Sequence, residues 1–365
     1  MFFFSDRDAQ TLAQIKRLRT GGKTTATGEV DIEEEKMFMR LAFAGAITLA
    51  VSATTVVAQE KTLRVATSVP QTHYLTVSIA AFAEEVTKRT NGNITFEIYP
   101  AQSLVTDQQM DQAVLSGIVD IGLGSASILA GTIPALDIFG VPFYFDTREK
   151  LNKAVAVGTP IRDTLDAEIM NAGLNAVFWI PYGSIAMAMR DEPVRTPAEM
   201  KGKKIRSFSA TASQFIEAVG AAPVVTSGGE QFLALQRGLV DGGLTGWSSF
   251  TGRRLYDVAD YAVATDHSYE THFALMKQET WESLSPEQQQ IFQEVGKSLE
   301  SDLLDEVFGV VEKVKAELQG KMEVINLTPE EKLKWKEATA PIAAQFTDGA
   351  DPVSLSVFAE AEKIQ

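Results

Sequence analysis

"AVLSGIVDIGLGSAS" (113–127) returns 121 residues later as "ALQRGLVDGGLTGWS" (234–248), with alanine, glycine, Val-Asp, Gly-Leu and a late serine coinciding at seven of fifteen positions. Each copy reads as a helix end, a glycine C-cap (Gly117, Gly238), a strand, and a loop of small residues. One reading is a chance likeness between two βα units. The other is two lobes built alike, each ending a strand in a small-residue loop. Open α/β sheets take ligands outside the carboxyl ends of their strands, so two such lobes facing each other form a cleft.

The flanking sequence alternates strand and helix. "TLRVATS" (62–68) has the two-residue period of a strand. Leu75, Ile79, Phe82 and Val86 follow at helical spacing and stop at Asn91-Gly92. "NITFEIYP" (93–100) alternates again and closes on Pro100. This order predicts a parallel α/β sheet with short connections. Toward the C-terminus, Ser285-Pro-Glu-Gln288 is a capping box with proline at the first helical position. Ile291, Val295, Leu299, Leu303, Val307, Val311 and Val314 continue one apolar stripe to Gly320. About 34 residues at 1.5 Å each give roughly 50 Å, longer than one lobe is wide. The sequence therefore predicts an α/β, two-lobed flytrap with a long C-terminal helix bracing both lobes. A second capping box, Thr328-Pro-Glu-Glu331, opens another helix. The expected division is 61–184 plus 271–310 for lobe I and 185–270 plus 311–365 for lobe II. Hinges are expected near Gly183–Ile185 and His267–Thr271.

Composition narrows the function. The chain has 365 residues, no cysteine and a net charge of −15. The acidic balance argues against nucleic acid and anionic membrane surfaces. Without cysteine there are no disulfides, thiol nucleophiles or thiolate metal sites. "LAFAGAITLAV" (41–51) follows Lys36 and Arg40 and precedes the small residues "TTVVA" (54–58). That is the pattern of a secretory signal peptide, too short for a membrane span of roughly 20 apolar residues. Residues 37–58 are read as the signal, cleaved after Ala58, with an uncleaved anchor as the alternative. Residues 1–36 are read as an extension ahead of a true start at Met37 or Met39. "GGKTTATG" (21–28) mimics a phosphate loop, but the required first glycine falls on Arg17.

Enzyme signatures are scarce. His73, His267 and His272 are the three histidines, and the last two are five apart, which is not the H-E-x-x-H spacing. Ser125 in "GLGSAS" has no identifiable base, and His73 before a helix reads as a surface cap residue. Arg206 stands out. Ile205 and Phe208 place it on a strand edge, and Ser209 is a good N-cap for the next helix. A guanidinium beside a helix start suits a carboxylate or phosphate, because its planar fork binds two oxygens at once. The bland alternative is a solvated or acid-paired strand-edge arginine. In the receptor reading Arg206 lies hydrated in an open cleft. Trp179, Tyr182, Phe208 and Trp247 are candidates for the pocket wall or for the core.

"YPAQSL" (99–104), "SGIVDIG" (116–122), "VPFYF" (141–145), "MKGKKIR" (200–206), "GAAPV" (220–224) and "ALQRGLVDG" (234–242) occur in this order. The ordered set over 61–362 resembles the DctP-type solute-binding proteins of tripartite ATP-independent periplasmic (TRAP) transporters. The resemblance implies a non-enzymatic periplasmic receptor, exported by a cleaved signal peptide. It implies that Arg206 binds the carboxylate of a small organic acid, and that a TRAP permease receives the ligand. Ser68, Ser125, Ser209 and Thr245, with Trp247 and Tyr182 nearby, match pocket positions less firmly. A second arginine found in the family's sialic-acid receptors is replaced here by Ile185, and Arg190 lies farther along. "LTGW" (244–247) lacks the acid of the metal-binding 2-oxoacid receptors, so no metal or other cofactor is expected. The chain is expected to act as a monomer. The alternatives are a binding protein of an ATP-driven importer and a periplasmic hydrolase using Ser125 or His73.

Overall fold

The computed structural model describes residues 60–365. The expected extension and signal peptide, 1–58, lie outside the described residues. In chain order the first half contains β1 (Lys61–Ala66), α1 (Tyr74–Arg89), β2 (Ile94–Tyr99), α2 (Met110–Leu115), β3 (Ile121–Ser125), α3 (Ala126–Leu129), α4 (Arg148–Val155), α5 (Pro160–Asn171) and β4 (Leu174–Met189). Then come β5 (Lys204–Ser207), α6 (Ala210–Ala218), β6 (Ala222–Val225), α7 (Gln231–Gln236), β7 (Gly242–Gly246), α8 (Trp247–Gly252), β8 (Tyr261–Ala264) and β9 (Tyr269–Lys277). The remainder is α9 (Gln278–Glu282), α10 (Pro286–Glu317), β10 (Glu323–Asn326), α11 (Pro329–Thr339), α12 (Pro341–Thr347) and α13 (Pro352–Glu362). No described helix is long and apolar enough to cross a membrane.

The strands run in the order β2-β1-β3-β9-β4-β7-β5-β6, with β8 pairing β4 and β10. Each lobe repeats one plan. In the first, β1 lies parallel to both β2 and β3, and β9 closes antiparallel on β3. In the second, β5 lies parallel to both β6 and β7, and β4 closes antiparallel on β7. The sequence echo thus maps onto α2–β3–α3 and α7–β7–α8. Its two glycines, Gly117 and Gly238, take φ of 75° and 67°, the left-handed turn that ends a helix.

One strand joins the lobes. Leu174–Ser184 of β4 pairs with β9, whereas Ile185–Met189 pairs with β7. The switch falls between Ser184 and Ile185, just after the register slips at Gly183, whose φ reaches 96°. The return crossing lies at Thr265–Ser268, a few residues earlier than the sequence suggested. Ile185 N–H donates to Ser268 O there at 2.9 Å, and Tyr269 already faces Ser184 in the first lobe's sheet.

Helix α10 has 32 residues, roughly 48 Å at 1.5 Å per residue. It packs on α1 of the first lobe, α8 of the second, and β4 between them. The stripe buries Ile291, Val295, Leu303, Val307 and Val314, together with Phe292, which lies off the expected stripe and fills an aromatic cluster with Phe82 and Phe96. A buried ion pair ties α10 to α5: Arg162 Nη1 lies 2.5 Å from Glu300 Oε1. Arg162 also stacks on Trp179 at 4.1 Å, and Glu300 Oε2 accepts Trp179 N–H at 3.0 Å.

The C-terminal segment departs from the expected division, which assigned all of 311–365 to the second lobe. Helix α11 does stay there, with Trp335 stacked on Phe215 of α6 at 5.8 Å. Helix α13 instead buries Val357 and Ala361 in the first lobe's core with Ile161, Leu165 and Phe139. Its apolar stripe fits the face left open by α5, so packing carries the tail back across.

Removing Glu300 would break the buried pair and orphan Trp179 N–H, leaving Arg162 with Asp166 at 2.7 Å as its remaining ion-pair partner. Glu300→Ala is therefore expected to cost about 3–5 kcal/mol, read as a lower denaturant midpoint. A loss under about 1 kcal/mol would show the pair to be dispensable.

Candidate functional site

The carboxyl ends of both sets of strands converge on a cavity of about 40 Å³. The first lobe contributes Ser68 after β1, Ser125 at the end of β3, and Glu270 and His272 from β9. The second contributes Arg206 of β5, Phe208, Thr245 of β7 and Arg253. Tyr182 of the shared strand β4 also lines it. Tyr182 lies flat against Gly246, where any Cβ would strike its ring. Its hydroxyl is 2.6 Å from Ser249 Oγ.

Arg206 is held more firmly than the sequence reading supposed. It is 2% exposed, not hydrated. Its Nε and Nη2 donate to Thr226 O at 3.1 and 2.9 Å, and Nη1 donates to Leu244 O at 2.9 Å. A guanidinium has five N–H donors. Three are committed to these carbonyls, which leaves one on each terminal nitrogen for a ligand. Burial first, and Arg253 second, pull its pKa down to about 10, so it stays cationic at neutral pH.

Arg253 is the second cation of the site, and sequence reasoning missed it. It rests on Gly228, where a side chain would collide with its guanidinium. Its printed side-chain partner is Gln231 Oε1 at a long 3.5 Å, and it has no ion pair among the described residues. Arg190, the alternative the sequence raised, instead lies near Asp191 at 3.8 Å and does not line the cavity.

Two expected site residues point elsewhere. Ser209 caps α6: its Oγ accepts Ala212 N–H at 3.1 Å, which turns it toward the helix. Trp247 begins α8 in the core, 1% exposed, against Phe250, with Nε1–H donating to Asp266 at 2.9 Å. Ser68, Ser125, Tyr182, Arg206 and Thr245 do line one cavity. His73 caps α1 as expected, its Nδ1 accepting Leu75 N–H at 3.2 Å, but it is buried, with Nε2 3.0 Å from Ser248 Oγ across the cleft. Two more contacts cross the lobes: Gly228 N–H donates to Asp107 Oδ2 at 2.9 Å, and Thr211 Oγ1 bonds Asp137.

Ser125 Oγ donates to Glu270 Oε1 at 3.0 Å. Glu270, which the sequence reading did not single out, lies two residues from His272 on β9 and therefore on the same face. No cluster of three or more His, Asp or Glu suited to a metal occurs among the described residues.

Burial pushes His73, His267 and His272 down to about 3, with Arg253 adding to the effect on His73 and His272. Unfolded imidazoles take up protons near 6.5, which the folded ones refuse. Their stabilising contribution is present above pH 6.5 and is lost as pH falls toward 3. Glu270 opposes this: burial pushes it up to about 7, so it stabilises below 4.5 and loses that effect as pH rises through 7. Three imidazoles outweigh one carboxyl. The denaturant midpoint should therefore drop between pH 7 and pH 5; a midpoint that rises over that interval would contradict the buried neutral histidines.

A family model described as "Bacterial extracellular solute-binding protein, family 7" (DctP) matches residues 65–349. The chain is 30% identical over 204 residues to the uncharacterized protein y4mM of Sinorhizobium fredii, an alignment covering 56% of this chain and only 37% of that relative's length. It is 24% identical over 290 residues to the C4-dicarboxylate-binding periplasmic protein DctP of Vibrio cholerae, covering 78% of this chain and 86% of that one. Among solved structures, DctP7, a Bordetella pertussis extracytoplasmic solute receptor binding pyroglutamic acid, superposes with a TM-score of 0.78 at 20% identity, covering 83% of this chain and 99% of that one. That likeness bears on the fold. With the family model spanning most of the chain, this protein belongs to the bacterial extracellular solute-binding proteins of family 7, a family of binding proteins rather than enzymes.

Proposed function

We propose that the chain is a periplasmic receptor that closes its two lobes on a small organic acid and presents it to a TRAP membrane permease. The observation that carries this reading is a cavity at the strand ends of both lobes holding two guanidiniums, one of them buried with two donors to spare. Arg206 takes the ligand carboxylate, and Arg253 adds positive charge from beside Gly228. With two guanidiniums supplying that charge, no metal is needed to hold the anion. The three cross-lobe contacts of His73, Asp107 and Asp137 describe a closed form. Rotation about Gly183–Ile185 and Thr265–Ser268 would open it. The family match favours a TRAP permease over an ATP-driven importer as the partner.

Arg253 separates binding from folding better than Arg206, whose removal would also orphan two carbonyls. In calorimetric titrations with carboxylic acids of three to six carbons, Arg253→Ala should bind the best acid at least about 10-fold more weakly. Its melting point should stay close to that of the parent. Arg206→Lys should lose more, roughly 30-fold or beyond, because an ammonium cannot hold two carbonyls and a carboxylate together. Affinity unchanged within about threefold in both variants would sink the carboxylate clamp.

A further inference from the structure

The carboxylate clamp leaves Glu270 without a role. This side chain is 4% exposed and lines the cavity from β9 of the first lobe. Its Oε1 accepts Ser125 Oγ–H at 3.0 Å and Ser127 N–H at 3.2 Å, and its Oε2 accepts Ser127 Oγ–H. No cation lies within ion-pair distance among the described residues. A carboxylate offers about four lone-pair sites. Three are filled by the protein, and the fourth, on Oε2, is left. His272, two residues along the same strand face, also lines the cavity, and its buried Nδ1 has no hydrogen-bond partner. The first lobe therefore presents an open acceptor site on Glu270 and an imidazole nitrogen that can donate or accept, while Arg206 and Arg253 of the second lobe present donors.

We propose that the ligand is a short acid carrying a hydrogen-bond donor near its carboxylate, a hydroxyl or an amine, and that Glu270 accepts this donor across the cavity from Arg206. The proposal rests on the receptor reading above and narrows its ligand class. An unsubstituted acid would leave the fourth acceptor site of Glu270 unfilled. A second carboxylate at that end would face oxygens of like charge. A donor supplies the missing hydrogen bond and completes the site.

The test compares acids of equal length by calorimetry: propionate, L-lactate and L-alanine, then butyrate, 2-hydroxybutyrate and 2-aminobutyrate. Wild-type protein should bind a donor-bearing member at least about 10-fold more tightly than the unsubstituted acid of the same length. The hydroxy and amino arms tell a neutral donor from a cationic one. Glu270→Gln should bring that ratio to within about threefold. Equal affinities within each wild-type series overturn the proposal and leave the receptor reading intact. A preference that survives Glu270→Gln overturns the role of Glu270. If no acid of either series binds wild-type protein but a longer acid of up to six carbons does, this proposal falls and the receptor reading stands; if none of three to six carbons binds, both fall. The wild-type comparison decides the matter even where the variant folds poorly.

Discussion

Two backbone carbonyls, Thr226 O just beyond β6 and Leu244 O within β7, hold the Arg206 guanidinium in place. The second lobe's site is organised around that tether. It spans three strands, so the direction of the cation is set by the sheet and not by a flexible side chain. Holding a binding group in its final orientation lowers the entropy lost when a ligand docks. The tether also has a cost. A fully buried cation beside Arg253 is poorly solvated, which is why its pKa falls to about 10. An anion in the cavity would relieve that strain, so the same burial that makes the empty site unfavourable favours occupancy.

The two walls of the cavity come from different lobes, and their relative placement depends on two continuous elements. Strand β4 changes partner at Ser184–Ile185 and carries Tyr182 to the floor of the cavity. Helix α10 runs beneath both lobes and is anchored to the first through Arg162 and Glu300. Because the crossings are short and the brace is long, the opening proposed above would be a hinge motion. Shear is opposed by the packing of α10 on β4.

The fold was legible where the signal is local. The echoed βα units, both capping boxes and the stripe of α10 rest on residues that contact their own neighbours. Arg206 was legible as a candidate anion-binding residue only through the family resemblance, since the strand–helix junction alone left the solvated or acid-paired reading open. Its burial was not, because its acceptors lie 20 and 38 positions away. Ser209 occupies the right place in sequence, yet a strong N-cap spends its hydroxyl on the helix. Trp247 misled for a similar reason: α8 starts at that residue and turns the ring into the core. Arg253 sits in the polar run "TGRRL", indistinguishable from a surface pair until Gly228 is seen beneath it. The return of α13 to the first lobe could not be read, since an amphipathic pattern names a buried face but not its partner.

The account's central claim is that this cavity holds one small carboxylic acid. Native mass spectrometry of protein isolated without denaturation tests it most directly. The account predicts a one-to-one adduct of a low-mass acid, displaced on unfolding and identified in the released fraction. Protein that carries no such adduct, and acquires none from a mixture of short carboxylic acids, would contradict it.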